Sequence, residues 1–150
     1  TINRFSEDPV KPFLAKIVME WGTVADALVV CKFHQYVDLG PDKYAKILSF
    51  TTGWNISGQD LLSIGDRIFN LARVFNVREG TRRKDDMLPS GILQPATSGS
   101  TKGVGITNYE GMLREFYKLE EWTEDGIPKA KKLKRLGLEN VARYVSERSR

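Results

Sequence analysis

The amino-acid sequence predicts an all-α fold, an irregular multi-helix bundle, and three observations carry this. Apolar residues recur at helical spacing in several separate segments, capping residues and prolines open those segments while glycines close them, and no alternating strand pattern of any length appears. The first segment starts at Val10, where Val10, Phe13, Leu14, Ile17, Val18, Trp21, Val24, Ala25 and Leu28 form one stripe expected to be buried. Asp8 stands where a cap belongs, and Pro9 and Pro12 fall in a first turn that tolerates them. The pattern blurs after Val30, and Asp38-Leu39-Gly40-Pro41 reads as a turn. A second helix follows from Asp42 to about Phe50, started by Pro41 and stopped by Gly53. A third begins at Ser57, where Asp60 completes a capping box. Leu61, Ile64, Ile68, Leu71 and Phe75 line one face of it, Leu62 and Phe69 widen that face, and a largely buried central helix is expected.

Residues 79–107 lose all periodicity and carry Gly80, Gly91, Gly99, Gly103 and Gly105 with Pro89 and Pro95. A non-regular loop of this length is more often functional, or packed onto another part of a protein, than idle. Helices resume from Asn108 to Glu120, with Thr107 and Glu110 as a second capping box, then from Pro128 to Leu136 with Gly137 as the stop, and from Glu139 to about Glu147. Leu133, Leu136, Leu138, Val141 and Val145 of the last two are expected to face inward.

The chain's 150 residues, 41% hydrophobic and 28% charged, suffice for a single helical domain, 1–150, with one core. No apolar run approaches the ~18 residues of a membrane span, and no signal peptide is visible, so a cytoplasmic setting with no membrane partner is expected. One cysteine and one histidine, Cys31 and His34, exclude an internal disulfide framework and a self-contained metal site. The net charge of +4 is concentrated in residues 129–150, where eight Lys/Arg stand against Glu139 and Glu147; residues 1–128 therefore carry −2. Counterion release could make such a tail a nucleic-acid site, but its amphipathic spacing reads better as a solvated helical face. The glycine-rich Ser98 to Gly105 lacks the Gly-Lys-Ser/Thr order of a phosphate loop, and Asn55-Ile56-Ser57 is an accidental glycosylation match. Arg78, Arg82, Arg83 and Lys84 alternate with Glu79, Asp85 and Asp86, an ion-pair network expected to hold the long loop at a domain contact.

Asp26 and Cys31 are the candidate site residues. On a straight helix they point about 140° apart and cannot share one ligand. If the helix ends between them they could serve two neighbouring ligands, the carboxylate accepting from amine donors and the thiolate bonding a metal. Taken alone, the residues read better as an exposed acid and a small buried thiol without special roles.

The stretch Phe69-Asn-Leu-Ala-Arg-Val-Phe-Asn-Val-Arg-Glu-Gly80, followed by Arg82-Arg-Lys-Asp-Asp86 and Leu88-Pro89, resembles the C-terminal region of the tungsten-containing aldehyde:ferredoxin oxidoreductase family. Asp26-Ala-Leu-Val-Val-Cys31-Lys-Phe33 and the ending Glu121-Trp-Thr-Glu-Asp-Gly-Ile-Pro-Lys do so too, and the resemblance covers about Val24 to Val141. It implies the helical C-terminal domain of a larger enzyme that oxidises aldehydes to carboxylic acids. The implied cofactors are a tungsten, or molybdenum, bis-pterin and a [4Fe-4S] cluster that passes electrons to ferredoxin. By the same resemblance Asp26 binds the pterin, Val30 lies beside it, and Cys31 is the fourth cluster ligand; no catalytic acid or base falls within the chain. Val29 and Val30 stand where the family commonly has Gly and Leu. The other cluster cysteines and a pterin-binding β domain would lie upstream, with ferredoxin, the aldehyde and those remaining domains as partners and a homodimer left open. Two other readings stay beside this one: a non-catalytic helical interaction domain related to the family, and a small basic nucleic-acid-binding protein.

Overall fold

A computed structural model describes residues 8–36 and 39–146. It is all-α: α1 (Val10–Ala27), α2 (Pro41–Thr52), α3 (Gly58–Arg78), a single turn α4 (Ser90–Leu93), α5 (Tyr109–Leu119), α6 (Ala130–Arg135) and α7 (Glu139–Ser146), with 3₁₀ turns at Lys32–Tyr36 and Arg83–Asp86. The described residues contain no strand, only isolated bridges at Ala96–Lys102 and Trp122–Pro128. Asp38 of the predicted turn, the end of the last predicted helix at Glu147, and the basic residues Arg148 and Arg150 lie outside the described residues. Residues 79–107 form the expected long irregular segment, interrupted only by short turns.

Several start and stop signals act as read, while the helix predicted from Pro128 starts at Ala130. Ser57 caps α3 by accepting from the Asp60 N–H at 3.2 Å, while the Asp60 carboxylate accepts from the Ser57 N–H at 2.9 Å. Gly53 and Gly137 close their helices in the left-handed conformation, φ +76° and +66°. The Thr107–Glu110 box is corrected: α5 starts one residue later, with Asn108 at the N-cap position.

Helix α3 is the central element, against which α1, α2 and α7 pack while α5 lies against α1 and α6 against α7, and the expected single core is divided along α3 into three apolar clusters. Near its start Leu61 meets Val24, Tyr44 and Ala45. Phe69 joins Leu113, Tyr117 and Trp122. At its far end Val74 and Val77 pack with Ile127, Leu133, Leu138 and Val145, so the inward face predicted for the last two helices is the one observed. Gly65 lets α1 lie directly on α3, because a Cβ there would stand 2.4 Å from the Glu20 carbonyl oxygen.

The apolar stripes of α1 and α3 are buried only in part, at Val24 and Ala25 of α1 and at Leu61 of α3, which corrects the expectation for the rest of each stripe. In the first half of α1 the inner face carries Pro12, Lys16 and Glu20, while Phe13, Leu14 and Val18 are exposed, Val18 by 67%. On α3 the buried set is Leu61, Gly65, Asn70, Arg73, Val74 and Val77; Ile64, Leu71 and Phe75 are exposed, Phe75 by 55%. The reason is that polar groups meet polar groups inside this domain, and hydrophobic periodicity cannot register that.

Candidate functional site

Helix α1 ends at Ala27, immediately after Asp26, and the chain turns sharply before Cys31. The turn is a Schellman motif: Val30 N–H donates to the Ala25 carbonyl at 3.1 Å and Val29 N–H to the Asp26 carbonyl at 3.1 Å. The residue at its left-handed position is Val29, at φ +56°. Glycine belongs there, and a β-branched side chain in that conformation costs roughly 1 to 2 kcal/mol. Strain of this kind persists only where the surroundings hold it, and it collects at binding sites.

The sequence-predicted residues sit on and around this turn. Asp26 is exposed in the last turn of α1, with its Oδ2 2.9 Å from the Lys32 ammonium. Val30 is half-buried against the cluster of Val24, Tyr44 and Leu61. Cys31 presents an exposed thiol, which corrects the buried-thiol reading. Its carbonyl accepts from the His34 N–H at 3.1 Å, and His34 and Phe33 are exposed beside it. The helix therefore ends between carboxylate and thiol, the condition under which the two can serve different ligands.

Two polar clusters escaped the sequence. In the first, Glu20, Asp66 and Glu120 bring carboxylate oxygens within 4.8 Å of one another. The Lys132 ammonium lies 2.8 Å from Asp66 and 3.5 Å from Glu120, and Lys16 pairs with Glu20 and, at 3.3 Å, with Glu120. Asn70 ties the cluster to its surroundings, accepting from Trp122 Nε1 at 2.8 Å and donating to Asp66 at 2.7 Å. Burial raises the pKa of Glu20 against the lowering effect of Lys16. For Lys16 burial opposes the charged form, but the Glu20 hydrogen bond and the Glu120 and Asp66 carboxylates outweigh it, and its pKa also rises. The two shifts differ in their first cause: burial lifts Glu20, with the Asp66 and Glu120 carboxylates adding to it, whereas for Lys16 the surrounding carboxylates overcome burial. Two ammoniums already fill the space among the carboxylates, which makes the cluster a structural ion-pair lock rather than a metal site.

In the second, Arg73 makes a bidentate pair with Asp86 at 2.8 and 2.6 Å and donates to the Gly126 carbonyl at 2.8 Å. Tyr117 donates its hydroxyl to Asp86, and its pKa is pushed far up, first by burial and then by that bond. Asp86 thus pairs with Arg73 of α3 rather than with the basic residues of the predicted network. Of that network, Arg78 pairs with Glu79 at 2.9 Å, and Arg82 turns its guanidinium to the Val77 and Thr81 carbonyls. The second cluster borders a cavity of about 490 Å³ walled by Met19, Phe69, Met112, Leu113 and Phe116.

The basic tail is not uniformly a solvated face, because Lys132 is 1% exposed within the first cluster. Among the described residues, no helix is long and apolar enough to cross a membrane.

Comparison with known proteins gives a consistent result. The family described as aldehyde ferredoxin oxidoreductase, domains 2 and 3, matches residues 1–138. Tungsten-containing aldehyde ferredoxin oxidoreductases of Pyrococcus abyssi and Pyrococcus horikoshii are 38% and 39% identical over 136 residues, 89% of this chain and 22% of theirs. The chain thus spans about a fifth of the length of these relatives. A more distant relative, an aliphatic sulfonate oxidoreductase, WOR-like subunit, of Pyrococcus furiosus, is 28% identical over 145 residues, 91% of this chain and 22% of that one. The solved active site complex BamBC of benzoyl coenzyme A reductase with 1,5 dienoyl-CoA superposes with a TM-score of 0.72 at 23% identity, over 92% of this chain and 20% of that one; it shares the fold.

Proposed function

The chain belongs to the aldehyde ferredoxin oxidoreductase family, and from that membership we propose that it is the helical C-terminal domain of a tungsten-pterin, [4Fe-4S] oxidoreductase that converts aldehydes to carboxylic acids and passes electrons to ferredoxin. In this reading Asp26 and Val30 face the pterin and Cys31 ligates the cluster. The observation that carries it is the exposed Cys31 thiol one turn past a helix end, with the Asp26 carboxylate on the other side of that end.

The donor set suits the groups. A carboxylate accepts from the ring N–H and amino groups of a pterin, and a thiolate is the usual protein ligand of cluster iron. When bound, the tungsten-pterin centre supplies two-electron oxidation of the aldehyde, and the cluster supplies one-electron steps toward ferredoxin. This chain's residues bind and orient. The Schellman turn fixes the backbone between Asp26 and Cys31, Val30 anchors the turn in the apolar core, and exposed Val29 and Phe33 offer apolar surface for neighbouring domains to cover. A cluster needs four protein ligands and the chain contains one cysteine, so three come from the remainder of the enzyme, together with the pterin-binding β domain and the acid/base chemistry. A cytoplasmic setting accords with a free thiol and cluster chemistry.

The test is Cys31→Ala in the complete enzyme. Iron per chain is expected to fall and the reduced-cluster electron paramagnetic resonance signal to disappear. Full iron retention would overturn the assignment.

A further inference from the structure

We propose that Lys32 is a positioning residue of the cofactor site: its ammonium clips the Asp26 carboxylate across the helix-end turn, and it carries a positive charge on the residue next to Cys31. The inference rests on the roles given above to Asp26 and Cys31, and goes beyond them in assigning Lys32 a task.

The Lys32 ammonium stands 2.9 Å from Asp26 Oδ2, and the two side chains are 55% and 62% exposed. An ion pair so open to water adds little to folding stability, so its worth is geometric. The pair joins the last turn of α1 to the first residue of the 3₁₀ turn and encloses Val29, Val30 and Cys31. On the backbone side the same loop is closed by the two Schellman bonds. A turn with a valine in the left-handed conformation is poorly held by its own sequence, and a side-chain clip on its open side opposes relaxation of the segment that carries the thiol.

The charge has a second consequence. Reduction adds negative charge to a cluster, so a neighbouring cation favours the reduced form and raises the reduction potential. Covering the turn with cofactors and the rest of the enzyme removes water from the pair and strengthens this effect.

The experiment uses the holoenzyme with Lys32→Arg, Lys32→Met and Lys32→Glu, reading iron per chain, cluster midpoint potential by a dye-mediated titration followed by electron paramagnetic resonance, and KM separately from kcat. The expected result is a charge-ordered series in potential, with Arg close to the parent, Met lower and Glu lowest, in clusters that remain loaded. Loss of iron in Met that Arg restores would equally support the clip. Unchanged potential in loaded Met and Glu variants, or iron loss that Arg fails to restore, would overturn it. Failure of the underlying reading is separate, because it would show as a cluster retained in Cys31→Ala.

Discussion

Lys132 shows how far one residue can depart from what its neighbours suggest. It stands in a run of exposed lysines on α6, yet is 1% exposed beside Glu120, which is fully buried. The charge offsets the desolvation cost of two carboxylates, and removing it strands them. Lys132→Met is therefore expected to destabilise the protein by about 3 to 5 kcal/mol, whereas Lys131→Met, on the exposed side, stays within about 0.5 kcal/mol. Urea unfolding of the two variants checks this, and equal small effects would remove the case for a lock. Cys31 and Asp26 differ in kind: both are exposed, and neither side chain is part of the core.

At the scale of elements, the helix ends were more legible than the helix faces. The Ser57–Asp60 box is closed by atoms within one turn, so local sequence suffices to read it. It also carries a pH dependence of known sign. The hydrogen bond from the Ser57 hydroxyl, then that from the Ser57 backbone, hold the Asp60 carboxyl below its ordinary range. A depressed carboxylate contributes stability that is complete above its unfolded pKa and is lost as pH falls through the folded value. The start of α3 should therefore loosen selectively in acid, below the usual carboxylate range. Hydrogen exchange at Leu61 and Leu62 measured on acidification reads it, and Ser57→Ala should abolish most of the pH dependence; an equally steep profile in that variant would count against the box. The end of α1 was opaque by contrast, because Val29 occupies a position where glycine would have announced the turn.

For the whole molecule, the notable feature is apolar surface left open on helices that already have a core: Phe13, Leu14 and Val18 on α1, and Ile64, Leu71 and Phe75 on α3. Exposed apolar patches mark surfaces that partners cover, and the chain spans about a fifth of its relatives' length. Expressed alone, the 150-residue chain should self-associate, and the double variant Val18→Lys, Phe75→Lys should shift it toward monomer in light scattering. A parent chain that stays monomeric at every concentration would show that these faces need no cover.

The sequence by itself determined the all-α class, the number and order of the long helices, the irregular segment at 79–107 and, through motif resemblance, the family. Each of these is written in neighbouring residues, whether as periodicity, caps or a contiguous pattern. Only the tertiary structure decided which faces are buried, that Lys16, Glu20, Asp66, Glu120 and Lys132 form one cluster, that Arg73 holds Asp86, and that Lys32 reaches back to Asp26. In the first two clusters the partners lie on different elements, up to 104 residues apart. Burying a charge is favourable only once its partner arrives, and no local pattern encodes that arrival.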